Sequence, residues 1–500
     1  MASPENHAKY KRIVDVFLSF IHGRGGEGQQ GEYLLDQAYS KEELLRITPV
    51  DLIRWLNVKT FGAKNPEHNA TPLVRASTLD FWKKAISSFM PDRLMQWSVD
   101  RNGENATRSI EVNSLLKHVQ KMEARKQGAE SQRRRPMVEL EFATMMKVFF
   151  NTGIKSKSLI WLYGMRALVN YQFHLMARVD DTTQVVLEHI KVHDKFCNCL
   201  KTRLNWSKNV NDERDAPWQV ILGSVNSSFC CFISLGLWLE MNLRTNPSAL
   251  LSPYLFAFSD DISIQLGGLK SKAIVQKIFG QKVFKMEEFK DSGKLGSHSI
   301  RKFSATHVRN SGATKDERET RGCWKGKTRV SDIYDDVELP YPDCKMAEEL
   351  CFGGACFYLL NPDFDSAALS NIILGLIVPN IRKRLPDSVA LVLGSAVLWL
   401  IYSCVPDIVP ESYKEEMKVK IEEAGVKVEE GINLIIKTPV IISGDQGVVY
   451  MDELPLSEPM NFETEQQQTG NSNVIEGRMV NEQVRSGDQL RNWMLAIQSG

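Results

Sequence analysis

The sequence predicts a multidomain chain with an all-α domain, a mixed α+β domain and a helical C-terminal extension. Apolar residues recur at three- and four-residue intervals between residues 40 and 125, which indicates amphipathic helices. Runs of alternating apolar and polar residues between 184 and 223 are typical of strands. The chain has 500 residues, 43% hydrophobic and 25% charged, which is enough apolar material for several cores and excludes a collagen-like or wholly disordered chain.

The N-terminal part of the chain divides into three predicted segments. Residues 1–39 are predicted to be a mobile arm because the stretch HGRGGEGQQG is rich in glycine. Residues 40–125 are predicted to be a helical domain. Residues 126–137 are predicted to be a basic linker that contains three consecutive arginines, Arg133, Arg134 and Arg135. These arginines are candidates for contact with a phosphate backbone or for a nuclear import signal, and the alternative is a solvated hinge.

The remainder of the chain is predicted to hold the α+β domain and two further segments. Residues 138–360 combine helical patterns with strand-like runs at 184–192, 199–206 and 217–223. Residues 361–442 are predicted to form a helical module. Its uncharged run of 18 residues, 388–405, is interpreted as part of a packed helix pair, so a membrane association is not expected. Residues 443–500 are polar and acidic, which favours disorder.

Charge and cysteine content give weaker information about the partners and location of the protein. The formal net charge is +1, but the segment from Pro406 onward holds 17 acidic and 8 basic residues, so the preceding 405 residues carry +10. A basic body with an acidic tail permits a polyanionic partner. The nine cysteines lack the CxxC spacing of zinc sites, and the start of the chain has no apolar signal sequence. We therefore expect structural thiols in an intracellular protein.

One segment, Leu295 to Asp336, carries a pattern with chemical meaning. His298 and Arg301 are three residues apart, which places both on one face of a helix. Trp324 follows in a Gly-Cys-Trp turn, and Tyr334 comes ten residues later. His307 lies in the same segment and is expected to have a packing or surface role.

This order of residues resembles the C-terminal catalytic segment of the tyrosine recombinases, enzymes that cut and rejoin DNA through a tyrosine nucleophile. The resemblance implies an upstream arginine, an acidic residue three positions later, and then a lysine on a β-hairpin. The matching positions in this chain are Arg178, Asp181 and Lys208. Lys195 and Lys201 are alternatives for the lysine. Tyr341 is a weaker alternative to Tyr334, because prolines flank it on both sides.

The resemblance also implies a role for each residue. Tyr334 would attack the phosphate and form a 3′-phosphotyrosyl bond, while Arg178 and Arg301 contact its non-bridging oxygens. Lys208 would protonate the leaving 5′-oxygen. His298 and Trp324 would make hydrogen bonds at the reacting phosphate, and Asp181 would orient its neighbours.

A closer likeness is to the recombinases of Crypton-type transposons from algae and other protists. The segments 77–91, 108–128 and 295–302 resemble that group. Residues 40–125 would then form the core-binding domain and 138–360 the catalytic domain. The implied partners are double-stranded DNA and further copies of the chain, as a tetramer on paired sites, and the implied location is a nucleus. No metal and no other cofactor is implied, since the covalent bond to tyrosine conserves the phosphodiester energy.

Two other functions stay open at this point. A type IB topoisomerase uses similar Arg, Lys, His and Tyr chemistry but rejoins the same strand. A non-catalytic descendant would keep DNA binding without turnover. The target DNA sequence is not readable from the chain, because base recognition depends on contacts that the motifs do not locate.

Overall fold

The computed structural model of the chain is helix-rich, with small antiparallel sheets. The residues that it describes are 4–23, 39–91, 93–98, 105–131, 133–150, 159–194, 198–207, 210, 216–257, 294–324, 341–359, 366–403, 405, 408–425, 435–437, 439–441 and 448–450. The chain divides into two compact units, Met1–Arg133 and Arg134–Gly500. This division falls within the basic linker predicted at 126–137.

All regular secondary structure in the described part of the first unit is helical. Its helices are α1 (Pro4–Ile21), α2 (Lys41–Leu45), α3 (Pro49–Phe61), α4 (Ala76–Phe89) and α5 (Ile110–Ala124). Local sequence explains where they start. Thr48 and Asp51 form a capping box that begins α3, and the Ser109 hydroxyl accepts the Val112 N–H at the start of α5.

Helix α1 corrects the prediction of a mobile arm for residues 4–21. Its side chains Val14 and Phe17 are buried in the core of the first unit. The Phe17 ring meets the Trp55 ring edge-on, with centroids 5.2 Å apart. The Gly-rich composition that supported an arm starts only at the end of this helix, and residues 24–38 lie outside the described part of the chain.

The second unit contains the remaining α-helices of the described residues. They are α6 (Glu139–Phe150), α7 (Leu159–His174), α8 (Val179–Thr182), α9 (Cys231–Thr245), α10 (Ser297–Asn310), α11 (Lys315–Arg321), α12 (Tyr341–Glu349), α13 (Ser366–Ile372), α14 (Asp387–Tyr402) and α15 (Glu411–Glu423). A π-helical turn, Ile373–Ile377, continues α13.

The described residues of the second unit also form eight short strands. They are β1 (Lys191–Val192), β2 (Leu200–Thr202), β3 (Gln219–Ile221), β4 (Gly223–Ser224), β5 (Ala355–Leu359), β6 (Ile435–Lys437), β7 (Pro439–Ile441) and β8 (Val448–Tyr450). They pair antiparallel as β1-β2-β3, β4-β5-β6 and β7-β8. The first sheet lies within the three predicted strand-like runs, although each strand is shorter than its run.

The C-terminal strands correct two predictions. The module predicted to be helical up to residue 442 contains β6 and β7, and β8 lies in the tail predicted to be disordered. These strands are built largely from β-branched residues, which favour extended backbone, and β6 pairs with β5 of the preceding domain. The rest of the tail lies outside the described residues.

One large core holds the second unit together. Helix α7 is packed against α9, and both contribute buried side chains to this core. Buried residues of α14, such as Leu393 and Leu400, belong to the same core, so the boundary predicted at residue 360 does not separate two cores. No helix within the described ranges is both long and apolar enough to cross a membrane.

Candidate active site

Arg178 and Asp181 are held together by the tight turn that begins α8. Helix α7 ends where Met176 adopts a left-handed backbone with φ +48°, and the Ala177 N–H bonds back to the Gln172 carbonyl at 3.0 Å. This reversal places Arg178 at the N-cap of α8, where its backbone N–H donates to Asp181 Oδ2 at 3.4 Å. Asp181 is buried, and its Oδ2 lies 3.5 Å from Nη1 of Arg178.

Arg301 reaches the same carboxylate from helix α10. Its Nη1 lies 3.7 Å from Asp181 Oδ2, and its side chain is 9% exposed. Its Nη2 donates to the Gly322 carbonyl at 2.6 Å. Burial, together with the positive charge of Arg178, lowers the pKa of Arg301 to about 10, while the charge of Asp181 opposes that shift. Arg301 therefore stays protonated at neutral pH in a buried position.

Trp324 lies against Arg301 because of the turn that follows α11. Cys323 has a left-handed backbone with φ +47°, and the backbone N–H of Trp324 donates to the Glu319 carbonyl at 2.8 Å. The Trp324 ring centroid is 5.1 Å from Arg301 Cζ, within cation–π range. A Cβ at Gly322 would lie 2.7 Å from the indole, so this turn requires glycine. The indole face thus restrains the guanidinium.

Ser207 brings the hairpin of the first sheet to the site. It lies in the loop between β2 and β3, is buried, and its hydroxyl donates to Asp181 Oδ2 at 3.3 Å. Ser207 directly precedes Lys208 in the sequence, and Lys208 itself lies outside the described residues. The sequence reasoning selected Lys208 and missed Ser207, although its position next to the lysine was a usable signal.

The site carries more positive than negative charge. Arg178 and Arg301 share one carboxylate, Asp181, at distances longer than a hydrogen bond. Within the described part of the chain, Nη1 of each arginine is buried and makes no hydrogen bond. Two planar guanidinium groups with N–H donors left over match the oxygens of a phosphate or another tetrahedral anion. We call these two arginines with Asp181 the open pair site.

The remaining sequence-predicted catalytic residues lie either at the start of a helix or outside the described part of the chain. His298 is exposed at the start of α10. Tyr334 lies in the segment 325–340, outside the described residues, as does the alternative lysine Lys195. Tyr341, the alternative nucleophile, is the first residue of α12. The structure thus brings together Arg178, Asp181, Arg301 and Trp324 from the predicted set.

A second buried arginine, Arg321, was missed by the sequence reasoning. Its side chain is fully buried, and its Nη1 lies 2.6 Å from Asp343 Oδ2. Its Nε donates to the His174 carbonyl at 3.0 Å, and its Nη2 donates to the Val220 carbonyl at 2.8 Å. Burial raises the pKa of Asp343, and the charge of Arg321 opposes that rise. We call this arrangement the closed pair site; it ties the end of α11 to α7, β3 and α12.

His307 has the packing role expected of it. Its Nε2 lies 2.8 Å from the Glu349 carbonyl, and its ring centroid lies 4.3 Å from that of Phe352. Burial lowers its pKa, and the hydrogen bond to Glu349 opposes that effect. This contact joins α10 to the end of α12.

The three arginines of the linker differ in their surroundings. Arg133 is exposed. Arg135 donates from Nη1 to Glu141 Oε2 at 2.8 Å and also contacts the second oxygen of that buried carboxylate through Nη2. The side chain of Arg135 thus takes part in an ion pair with Glu141. For Arg133, Arg134 and Arg135 alike, the role in DNA binding stays a prediction.

Comparisons with known proteins give structural neighbours only. No protein-family model and no curated protein matches the chain. It is similar to FLP recombinase in a Holliday junction complex, with 11% identity, a TM-score of 0.35, and coverage of 78% of this chain and 96% of that one. It is also similar to XerH site-specific recombinase bound to difH substrate, with 11% identity, a TM-score of 0.36, and coverage of 69% and 97%. A lambda integrase tetramer bound to a Holliday junction matches with 13% identity, a TM-score of 0.31, and coverage of 65% and 79%.

Proposed function

We propose that this protein is a tyrosine-type DNA strand transferase, and that it acts as a site-specific recombinase. The observation that carries the proposal is the open pair site, where a half-buried arginine at the N-cap of α8 and a buried arginine of α10 share one carboxylate and keep N–H donors unused. Such a site is suited to a phosphodiester, whose non-bridging oxygens accept paired hydrogen bonds from guanidinium groups. The order Arg178, Asp181, Lys208, His298, Arg301, Trp324 and Tyr334 along the chain supports the same chemistry.

In the proposed reaction, the Tyr334 oxygen attacks the phosphorus of one DNA strand. A bond forms between that oxygen and phosphorus, and the bond from phosphorus to the 5′-oxygen breaks. The phenolic proton leaves to a base, and Lys208 donates a proton to the departing 5′-oxygen. The product is a 3′-phosphotyrosyl bond with a free 5′-hydroxyl. Attack by the hydroxyl of a second strand reverses these steps and completes strand exchange.

The described residues support the charge-stabilising part of this reaction. Negative charge grows on the non-bridging oxygens in the transition state, and Arg178 and Arg301 provide fixed positive charge where water is largely excluded. Trp324 restrains Arg301 from the side, and Asp181 holds the two guanidinium groups at one point. Ser207 anchors the hairpin loop to Asp181, which supports Lys208 as the acid because it is the next residue. His298, exposed beside Arg301, is proposed to contact the reacting phosphate.

Several finer assignments belong to the same proposal. Residues 40–125 are proposed to bind DNA as the core-binding domain, with the 138–360 region as the catalytic domain and residues 361–442 as its extension. Duplex DNA and further copies of the chain are the proposed partners, as a tetramer on paired sites. The resemblance of segments 77–91, 108–128 and 295–302 to Crypton-type recombinases supports a mobile-element origin and nuclear action.

The first experiment is a trap for the covalent intermediate. The full chain is incubated with a mixed pool of nicked duplexes and denatured, and the protein is examined for attached DNA. We expect an adduct with the wild type and with Tyr341→Phe, and none with Tyr334→Phe. An adduct that persists in Tyr334→Phe would show that Tyr334 is not the nucleophile. Duplex binding without any adduct would indicate the non-catalytic descendant. Relaxation of supercoiled DNA without pairing of sites would indicate a topoisomerase instead.

A further inference from the structure

Three cations surround one tryptophan on the first sheet. Lys191 Nζ lies 5.3 Å, Lys201 Nζ 5.2 Å and Arg203 Cζ 5.3 Å from the centre of the Trp218 ring. All three distances are within cation–π range. His189 lies next to them, with its ring centroid 6.4 Å from that of Trp218. We call Trp218 with the three cations the tryptophan patch.

The strand register forces two of these charges together. Lys191 on β1 is directly opposite Lys201 on β2. Like charges in directly opposed positions destabilise a sheet. Asp194 pairs with Lys201 at 2.6 Å, but this carboxylate is 81% exposed, so the pair offsets little of the repulsion. A sheet that concentrates cations at a cost in stability is suited to a polyanion that neutralises them on binding.

The other face of this sheet has a different role. Leu200 of β2 and Ile221 of β3 are buried in the main core of the second unit, and the Thr202 hydroxyl lies 2.5 Å from the Tyr171 hydroxyl. The sheet is therefore fixed to the core from behind. The cations are held on a rigid support, and the Trp218 ring limits their freedom further, so less entropy is lost when they bind.

We propose that the tryptophan patch binds the sugar-phosphate backbone of duplex DNA at a point away from the reacting phosphate. The choice of DNA as the ligand rests on the proposed function. The short distance along the chain between the patch and the open pair site supports this choice, because Ser207, which contacts Asp181, lies only four residues after Arg203. The same hairpin thus carries the patch at its strands and reaches the reaction site at its loop. Contact with the backbone at the patch would set the position of the hairpin loop on the DNA.

The test measures how DNA binding depends on salt. Each cation that neutralises a phosphate contributes about 0.9 to the slope of log affinity against log salt concentration. In the full chain, the variant Lys191→Gln/Lys201→Gln/Arg203→Gln is expected to reduce the slope by about 2 to 3. The control Arg382→Gln/Lys383→Gln/Lys418→Gln removes the same charge from another part of the second unit, and we expect it to leave the slope unchanged.

A second variant distinguishes the loss of a DNA contact from a folding defect. Lys191→Gln alone changes an exposed side chain, removes the repulsion with Lys201, and should reduce the slope by about 1 without lowering the Tm. A slope equal to that of the wild type in both variants would overturn the proposal. Tighter DNA binding by the triple variant would also overturn it, since the patch would then hold an acidic segment of the chain itself.

Failure of this proposal is separable from failure of the proposed function. The covalent adduct is measured in the same samples at saturating DNA. An unchanged slope with a normal adduct would contradict DNA binding by the tryptophan patch and would leave the proposed strand transfer unaffected. A reduced slope without any adduct would keep the patch as a DNA-binding surface and contradict the proposed chemistry.

Discussion

Two buried arginine–aspartate arrangements in the second unit differ in how completely the arginine is paired. In the closed pair site, Arg321 is 2.6 Å from Asp343 and also donates to the carbonyls of His174 and Val220. In the open pair site, Arg301 is 3.7 Å from Asp181, and its Nη1 makes no hydrogen bond within the described residues. The closed arrangement uses its charge to join helices, whereas the open one keeps charge available for a ligand.

The energetic consequences of the two arrangements are opposite. Breaking a fully paired buried ion pair leaves an uncompensated charge in the interior, which costs several kcal/mol. Removing an incompletely paired arginine relieves some of the cost of burying it. The closed pair site should therefore matter mainly for stability, and the open pair site mainly for function.

Arg321→Met should lower the free energy of unfolding by about 3–5 kcal/mol, because it leaves Asp343 buried without its partner. Chemical denaturation of the full chain measures this effect. The control is Arg321→Met/Asp343→Leu, which replaces both charges with apolar side chains and should recover most of the loss. A single variant as stable as the wild type would show that this ion pair does not hold the helices together.

Arg301→Gln should reduce covalent adduct formation by at least about 100-fold, or about 2.7 kcal/mol, because it removes a donor to the reacting phosphate. Its free energy of unfolding should change by less than about 1 kcal/mol. Arg301→Lys keeps the charge but loses the planar fork, so we expect a large loss there too. Equal losses of stability and activity would mean that Arg301 is structural, like Arg321.

His174 should make the closed pair site sensitive to acid. Burial lowers the pKa of this imidazole to about 4, the positive charge of Arg321 contributes to that shift, and the hydrogen bond to Phe229 opposes it. In the unfolded chain this imidazole binds a proton near pH 6.5, whereas in the folded chain it stays neutral at that pH. The contribution of His174 to stability is therefore present above pH 6.5 and is lost as the pH falls toward its folded pKa.

The expected loss between pH 7 and pH 5 is about 2 kcal/mol from this one group. Denaturation of the wild type and of His174→Gln at the two pH values isolates the effect, because other groups titrate in both proteins. A variant that loses as much stability as the wild type over this interval would assign the pH dependence to other residues.

The smallest effect expected is the binding of a simple anion. Sulfate at about five times its Kd should add about 1 kcal/mol to the free energy of unfolding, since it binds the folded open pair site alone. The titration is run at constant ionic strength with chloride as the exchanged salt. Arg382→Gln serves as the control and should keep the gain, whereas Arg301→Gln should lose it. An equal gain in both variants would contradict anion binding by Arg301.

The residues of the open pair site could be predicted from the sequence because their order along the chain resembles that of the tyrosine recombinases. The spacing of Arg178 and Asp181 within one turn and the position of Arg301 on a helix are consequences of local structure. The first sheet was also predicted in outline, since alternation of apolar and polar residues follows directly from strand geometry.

Tertiary contacts explain what the sequence did not predict. Arg321 and Asp343 are 22 residues apart, and no local pattern distinguishes them from surface charges. Trp218 and the cations around it come from three separate segments whose register depends on strand pairing. Helix α1 was missed because the glycines that follow it suggested an arm, whereas its apolar face is buried against α3 and α4.

The most direct measurement of the central claim is to identify the amino acid that carries DNA after the adduct is trapped. The adduct is digested with nuclease and protease, and the modified peptide is sequenced by mass spectrometry. We expect a nucleotide attached through its 3′-phosphate to Tyr334, with its yield strongly reduced in Arg301→Gln. A modified residue other than Tyr334, or a yield that Arg301→Gln leaves unchanged, would contradict the assignment of the open pair site as the reaction centre.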